Sequence, residues 1–400
     1  MEKKLLTETK EYLSYFCENL EDRYVGSQSN QKAAEYIKEI FEQSGCKITE
    51  QSFKCFDWQP EDLVFEVDNE SYSGEISPYS ASVEVEAELI TAESLKELKN
   101  IEGQGKVILI RGELTKEQLV PKNFPFYSVE EHKEIINLLE NKNFKAVIAA
   151  TGQDKNSAGG LYPFPLIEDG DFKVPSIFIK DVLGEKLKEK TGQKVYLKID
   201  TKKKDSQGKN IIATLGNDKE KKIVLFAHID SKINSPGAMD NASGIVTLLL
   251  LSKLLKEKGV DKHVEIALLN GEDYYSNPGQ RLYFIENSES LANIRLAINI
   301  DGMGYKKGST AYSMYTTEQD LNELADSIFK DQYQMVRGEP WYQGEHAILV
   351  QQGIPAVAFT SELLEEILEK VHTPQDNLSL IDHQKVVDTA RALTDFIEQI

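Results

Sequence analysis

The sequence predicts an α/β fold: a mostly parallel central sheet flanked by helices, accompanied by a separate β-rich module. Three observations lead there. From residue 205 onward, apolar runs at 210–215, 223–227, 264–269 and 295–300 alternate with helical stretches, as in a parallel sheet covered on both faces. Residues 57–205 instead crowd strand-like pieces together with few helices between them. Residues 1–55 carry helical periodicity.

Taken in order, Leu5, Leu6, Tyr12, Leu13, Phe16 and Leu20 form one apolar helical stripe. A turn at 23–27 follows, and Ser29 or Asn30 caps a second helix over 31–44. Its inward face is Ala33, Ala34, Ile37, Ile40 and Phe41, and Gly45 stops it. Residues 47–56 alternate as a strand. The middle region then reads as strands at 63–67, 82–90, 106–110, 146–150, 176–179 and 195–199, with turns at 155–160 and 168–171. A helix over 129–139 places His132 on a polar face, where a surface position is expected. Residues 201–209 (TKKKDSQGK) read as a polar linker. Beyond it, 223–227 has the unbroken apolar character of a buried parallel strand. His228 and Asp230 stand at its end, then a loop with Pro236 and Gly237, then Asp240 and Asn241, then an apolar segment too long for a strand and read as a buried helix. A run at 354–359 supplies a further strand, and 382–400 a final helix.

Composition excludes several classes of function. Four hundred residues suit two domains. A net charge of −20 argues against nucleic acid, which attracts basic surfaces. No run of 18 consecutive apolar residues occurs, so a transmembrane helix and a membrane partner are not expected. The first residues lack the apolar core of a secretory signal. Cys17, Cys46 and Cys55 form no CxxC pair, which suits reduced thiols and a cytoplasmic protein.

The chemistry lies where strands end. His228 closes one apolar run, Glu272 and Asp273 follow the next, and Asp301 follows the third. His372 lies in a turn-like HTPQDN segment. Ligands of open α/β sheets gather at the carboxyl ends of strands. Several acids converging there, with no matching set of Lys or Arg, require a cation. Two imidazoles and several carboxylates without a thiolate suit Zn²⁺, with Mn²⁺ or Co²⁺ as second choices. Five ligands exceed one tetrahedral ion, whereas two ions sharing a carboxylate use them all. Of the neighbours Glu272 and Asp273, one is free to bind metal and the other to act as general base.

These residues resemble the M28 family of di-zinc metallopeptidases. The matching pieces are His228-Ile-Asp230-Ser231, Gly237 to Gly244 (GAMDNASG), Gly271-Glu272-Asp273, Asn299-Ile-Asp301 and His372 to Asp376 (HTPQD). Gly344-Glu345-His346 ahead of Gly353-Ile354-Pro355 is similar to that family's SDH…GIP segment, and 23–37 to its opening helix. The resemblance covers 1–55 and 205–400, making these one discontinuous domain around an insert at 56–204. The insert, with GKVILIRG at 105–112, is similar to a protease-associated domain.

The resemblance implies that His228 and Asp301 hold one zinc, that Asp273 and His372 hold the other, and that Asp240 bridges them. It implies Glu272 as general base and later proton donor, a metal-bridging hydroxide as the attacking species, Asp230 orienting His228, and a cis peptide after Asp240. The implied activity is exopeptidase action on peptides or small amides, with an aminopeptidase as the leading reading. Carboxypeptidase, N-acyl hydrolase, glutaminyl cyclase-like and inactive binding-protein readings stand as alternatives.

Substrate contacts are expected from His346, Glu345, Tyr342 and Arg337, the last suited to a terminal carboxylate. His263 and His383 are expected to be structural. The chain departs from the family pattern at Val371, where many members have Tyr. Tyr342, Tyr274 and Tyr275 are the substitutes at hand. It departs also at Asp273, one methylene shorter than the more frequent Glu.

Overall fold

A computed structural model describes every residue except 1, 21, 123, 125–127, 153–164 and 275–276. The turn expected at 155–160 lies outside the described residues. The chain divides into two compact units, Met1–Cys55 with Ser206–Ile400, and Phe56–Asp205.

In the first unit the strand order is Val336–Arg337, Thr310–Tyr315, Ala356–Ser361, Ile294–Ile300, Lys222–His228, Val264–Leu269, then the last part of Lys194–Leu215. Lys222–His228 is parallel to both neighbours, with His228 beside Leu269 and Phe226 beside Asn299. Ile294–Ile300 is parallel in turn to Ala356–Ser361. Antiparallel pairing is confined to the flanks, where Lys194–Leu215 meets Val264–Leu269 and Thr310–Tyr315 meets Ala356–Ser361.

The apolar runs form these strands because both sheet faces are covered. Every residue of Lys222–His228 and Val264–Leu269 is buried. From the central strand the chain goes first to Val264–Leu269 on one side, then to Ile294–Ile300 on the other. The reversal opens a crevice at the carboxyl end of Lys222–His228, the usual place for a ligand in such a sheet. The helix Ser243–Lys258 is apolar nearly all round because it lies inside the fold, and Gly259 ends it in a left-handed conformation. By length and composition Ala238–Lys258 would cross a membrane, but 89% of its most apolar window is buried within the protein.

The second helix is Gln28–Gln43. Its cap is Ser27, whose hydroxyl accepts from the Asn30 N–H at 3.0 Å, two or three residues before the expected positions. Gly45 ends it with φ +74. Residues 201–209 are no linker. They belong to the strand Lys194–Leu215, which pairs with Lys47–Val67. Backbone pairing holds this polar sequence extended while the side chains at 202–205 face water.

The second unit carries helices beyond the one expected at 129–139. Val83–Ala92, Val107–Ile110, Ala146–Thr151 and Ser176–Lys180 form a parallel ladder, with helices at Leu95–Asn100, Glu130–Asn141 and Asp181–Lys188. Separate cores cover its faces, one around Ile108, Ile136 and Leu139, the other around Leu109, Ile148 and Leu197. His132 is buried rather than superficial: Nδ1 accepts from the Val120 N–H at 3.1 Å, and Nε2 lies 3.1 Å from Glu117. Residues 117–120 cover the polar helix face that the sequence leaves open.

Candidate metal centre

The site is assembled at the crevice. His228 is the last residue of its strand, Asp301 follows Ile300, and Glu272 and Asp273 follow the strand ending at Leu269. Asp240 sits in the turn before the buried helix, and the Asp240–Asn241 peptide is cis. Asn241 serves the helix start, with Oδ1 accepting from the Gly244 N–H at 3.1 Å and Nδ2 donating to the Ile300 carbonyl at 2.8 Å. His372 is held at φ +61, a conformation uncommon for a non-glycine residue and found at constrained functional positions.

Asp240 is the centre of the cluster. Oδ1 lies 2.9 Å from His228 Nε2, and Oδ2 lies 2.8 Å from His372 Nε2. On the first side Asp301 Oδ1 is 3.7 Å from His228 Nε2, and on the second Asp273 Oδ1 is 3.2 Å from His372 Nε2. Two ligand groups result, His228–Asp240–Asp301 and Asp240–Asp273–His372, with the donor atoms within each lying within 4.8 Å of one another. They share Asp240. A third group, His228–Asp230–Asp273, meets the same distance condition on the far side of the imidazole.

Asp230 acts differently from expectation. Its carboxylate accepts from the main-chain N–H groups of Gly271 at 2.6 Å, Glu272 at 3.2 Å and Asp273 at 2.9 Å. The His228 ring is oriented instead by the Asp230 carbonyl, 3.1 Å from Nδ1, while the carboxylate oxygen is 3.8 Å away. One residue thus sets the imidazole with its main chain and the Glu272–Asp273 loop with its side chain.

The electrostatics are those of crowded, buried acids. Burial, added to the charge of Asp273, Asp301 and Glu345, pushes the Glu272 carboxyl well above its usual range. Burial raises Asp301 to about 6 against the pull of His228. For the imidazoles burial favours the neutral form, but the carboxylates outweigh it. Asp273 and Asp240 hold His372 up to about 10, and Asp240 and Asp301 hold His228 well above its usual value. Asp240 is opposed by burial, yet its two imidazole partners keep it well below the carboxylate range.

The residues present fit divalent cations. His228 Nε2 and Asp273 Oδ2 are buried without an aligned hydrogen bond, so the 2.9 Å approach to Asp240 is a contact of two ligand atoms. Asp230, Asp240, Glu272, Asp273, Asp301 and Glu345 place six carboxyl groups around this centre. One lysine also reaches the cluster, which is short of a set matching the acids. Lys232 Nζ donates to the Asp273 carbonyl at 2.8 Å and lies 3.6 Å from its Oδ1.

The expected substrate residues divide. Glu345 is 1% exposed, close enough to act electrostatically on Glu272 and Asp301. Neither of its oxygens has an aligned hydrogen bond. His346 Nε2 lies 2.9 Å from the Trp341 carbonyl, and burial lowers its pKa to about 4. Tyr342 is exposed and packs edge-on against Tyr315, which contacts the His346 ring. Arg337 does not join them. It donates to Asp326 at 2.7 Å and to Asn322, with its guanidinium against the Tyr312 ring. Val371 packs into the apolar core. Tyr274 is buried, and Tyr275 lies outside the described residues. His263 Nδ1 lies 3.1 Å from the Glu220 carbonyl, and His383 begins the last helix.

Sequence reasoning missed Arg23, Asn30, Lys232 and Asp376 as parts of the site's support. Asp376 accepts from the N–H groups of Met239 at 2.7 Å and Asp240 at 3.1 Å, fixing the turn that carries the shared ligand. Its place four residues after His372 was the one available signal.

A parallel sheet with paired imidazole–carboxylate groups at its switch point is an arrangement that can hold metal ions. Residues 210–397 match the model of peptidase family M28, to which the chain is similar through this unit. It is 25% identical over 289 residues to a probable leucine aminopeptidase 2 of Aspergillus oryzae, covering 70% of this chain and 54% of the relative. To the aminopeptidase YwaD of Bacillus subtilis it is 26% identical over 315 residues, 73% of this chain and 62% of that one. The chain thus spans little more than half the length of these curated relatives. Its fold is similar to the crystal structure of a zinc aminopeptidase from Bacillus subtilis, with a TM-score of 0.75 at 20% identity over 98% of this chain and 95% of that one.

Proposed function

We propose that the protein is a zinc-dependent exopeptidase, and within that class an aminopeptidase. The observation that carries the reading is the sharing of Asp240 between the His228–Asp301 and Asp273–His372 groups, with Glu272 alongside. In this reading His228 and Asp301 would hold one zinc and Asp273 and His372 the other, with Asp240 shared between them. When bound, the ions supply Lewis-acid charge and acidify water. Glu272 takes the proton of the attacking water on its carboxylate and returns it to the leaving amine. Its buried surroundings, which favour the protonated carboxyl, suit the second of these transfers. Asp230 keeps Glu272 and Asp273 in place through three main-chain bonds.

Two features favour a free amine over a free carboxylate as the recognised end. Arg337, the basic residue expected to bind a carboxylate, is already paired with Asp326. Glu345 instead brings a buried acid to the centre, the group that suits an ammonium. The names of the relatives, leucine aminopeptidase and zinc aminopeptidase, point the same way. We read the unit Phe56–Asp205 as protease-associated-like; among its described residues no group of metal ligands occurs.

Metal analysis is expected to find about two zinc per chain. Glu272→Gln should keep that zinc and the fold while lowering kcat roughly 10²–10⁴-fold. Amino-acid p-nitroanilides should be cleaved and their N-acetyl derivatives left intact. Full turnover by the variant, or equal cleavage of blocked substrates, would overturn the mechanism or the aminopeptidase reading respectively.

A further inference from the structure

We propose that the N-terminal segment, through Arg23 and Asn30, is a positioning element of the metal centre: it braces the two loops that carry Asp240 and Glu272–Asp273. The inference rests on the metal reading above. Both residues lie outside the part of the chain that the family model covers, residues 210–397.

Arg23 is wholly buried, and its guanidinium bonds are to main-chain carbonyls. Nε donates to Ile229 at 3.0 Å, Nη1 to Pro236 at 2.5 Å and to Phe16 at 3.3 Å, and Nη2 to Gly237 at 2.6 Å. Ile229 follows the ligand His228, and Gly237 opens the turn holding Asp240. The planar fork therefore ties the exit of the central strand to the start of that turn, which a single ammonium would not do. Asp376 grips the same turn two residues further on, at Met239 and Asp240. Gly237 has φ +58, and a Cβ there would come 2.5 Å from the Asp240 carbonyl and 2.7 Å from Arg23 Nη2. The glycine thus permits both the bend and the close approach of the arginine.

Asn30 reaches the other loop. Its Nδ2 donates to Asn270 Oδ1 at 2.9 Å, and Asn270 Nδ2 donates back to Asn30 Oδ1 at 2.8 Å. The same Asn30 Nδ2 bonds the Arg23 carbonyl at 2.9 Å, which joins the two braces into one. Asn270 immediately precedes Gly271-Glu272-Asp273. A reciprocal amide pair fixes position and orientation in both partners, and both are buried. Ligands held within a few tenths of an ångström depend on such supporting groups, whose loss characteristically weakens metal affinity 10–100-fold.

The test uses full-length, metal-free protein titrated with Zn²⁺ against a chromophoric chelator, and with Co²⁺ followed by its visible absorption. Arg23→Met and Asn30→Ala should each weaken zinc binding at least about tenfold and alter the Co²⁺ spectrum, with Arg23→Lys intermediate. Leu13→Ala, a cavity in the core of the same segment, serves as control. It should lower the thermal midpoint and leave affinity and spectrum as in the wild type. The proposal is overturned if Arg23→Lys and Asn30→Ala keep wild-type affinity and spectrum, or if their losses match those of Leu13→Ala. Should Arg23→Met not fold, those two variants decide. A wild-type protein that binds neither ion overturns the metal reading itself and this inference with it, whereas normal wild-type binding with unchanged variants removes the inference alone.

Discussion

Single residues in this protein act on the site mostly through the main chain. Asp230 and Asp376 each place a buried carboxylate against the backbone N–H groups of a ligand-bearing loop. Asp376→Asn replaces one of the two acceptors with a donor facing an N–H, so a loss of about 1–3 kcal/mol in urea unfolding is expected. The ligands themselves give a pH-dependent prediction. His372, held up to about 10, carries a proton at neutral pH in the metal-free protein. Zinc needs the ring lone pair, so binding must expel that proton. Because the pKa is raised, protons compete at every pH below it and the competition eases as pH rises. Zinc affinity should therefore increase from about pH 6 to about pH 8, with proton release visible as a buffer-dependent binding enthalpy. A flat profile would contradict the assignment of His372. The five candidate ligands could be picked out because few residue types do this chemistry and all five stand at strand ends or turns. Arg23, Asn30 and Lys232 were not, because most of their partners are main-chain atoms far away in the sequence, and no local pattern encodes such a contact.

At the scale of elements, the strands that position the site were readable because burial on both faces leaves only apolar residues. The runs at 223–227 and 264–269 became Lys222–His228 and Val264–Leu269. The strand over 201–209 was not readable, since exposed lysines carry no alternation and only its pairing partner makes it a strand. The buried helix Ser243–Lys258 shows how tightly an element can be tied to a ligand. At Gly244 a Cβ would meet Asn241 Oδ1 at 2.3 Å and the Ile300 carbonyl at 2.7 Å. Neither can withdraw freely, because Asn241 Nδ2 bonds that same carbonyl and Asp301 follows it. Gly244→Ala should cost about 1–3 kcal/mol through overpacking and should lower zinc affinity as well, since it pushes the Asp240 turn from the end of the Asp301 strand. Thermal unfolding and chelator competition on the same preparation test the two effects. Stability loss with unchanged affinity would show that the turn absorbs the methyl group independently of the ligands.

For the whole molecule, the division of the chain was visible as a change of pattern near residues 56 and 205. The internal character of the second unit was harder to read, because its helices are short and its four parallel strands resemble those of any β-rich module. The two units have separate cores, one around Leu249, Ile298 and Phe396, the others around Ile108 and Ile148. Only the first contains a group of metal ligands among the described residues. Without a bound ion, several buried carboxyl groups face one another with two imidazoles and Lys232 to offset them. A ligand bound at a thousandfold excess over its Kd stabilises the folded state by about 4 kcal/mol. In a unit of this size each kcal/mol moves the midpoint by about 2–4 °C, so chelation should lower the first unit's transition by roughly 10 °C. The second unit gains nothing from the ion, and its transition should stay where it is. Calorimetry with and without chelator, followed by zinc repletion, separates the outcomes. A midpoint that does not move would mean that the cluster's charge is balanced without the ion, whereas two transitions that move together would mean that the two units unfold as one.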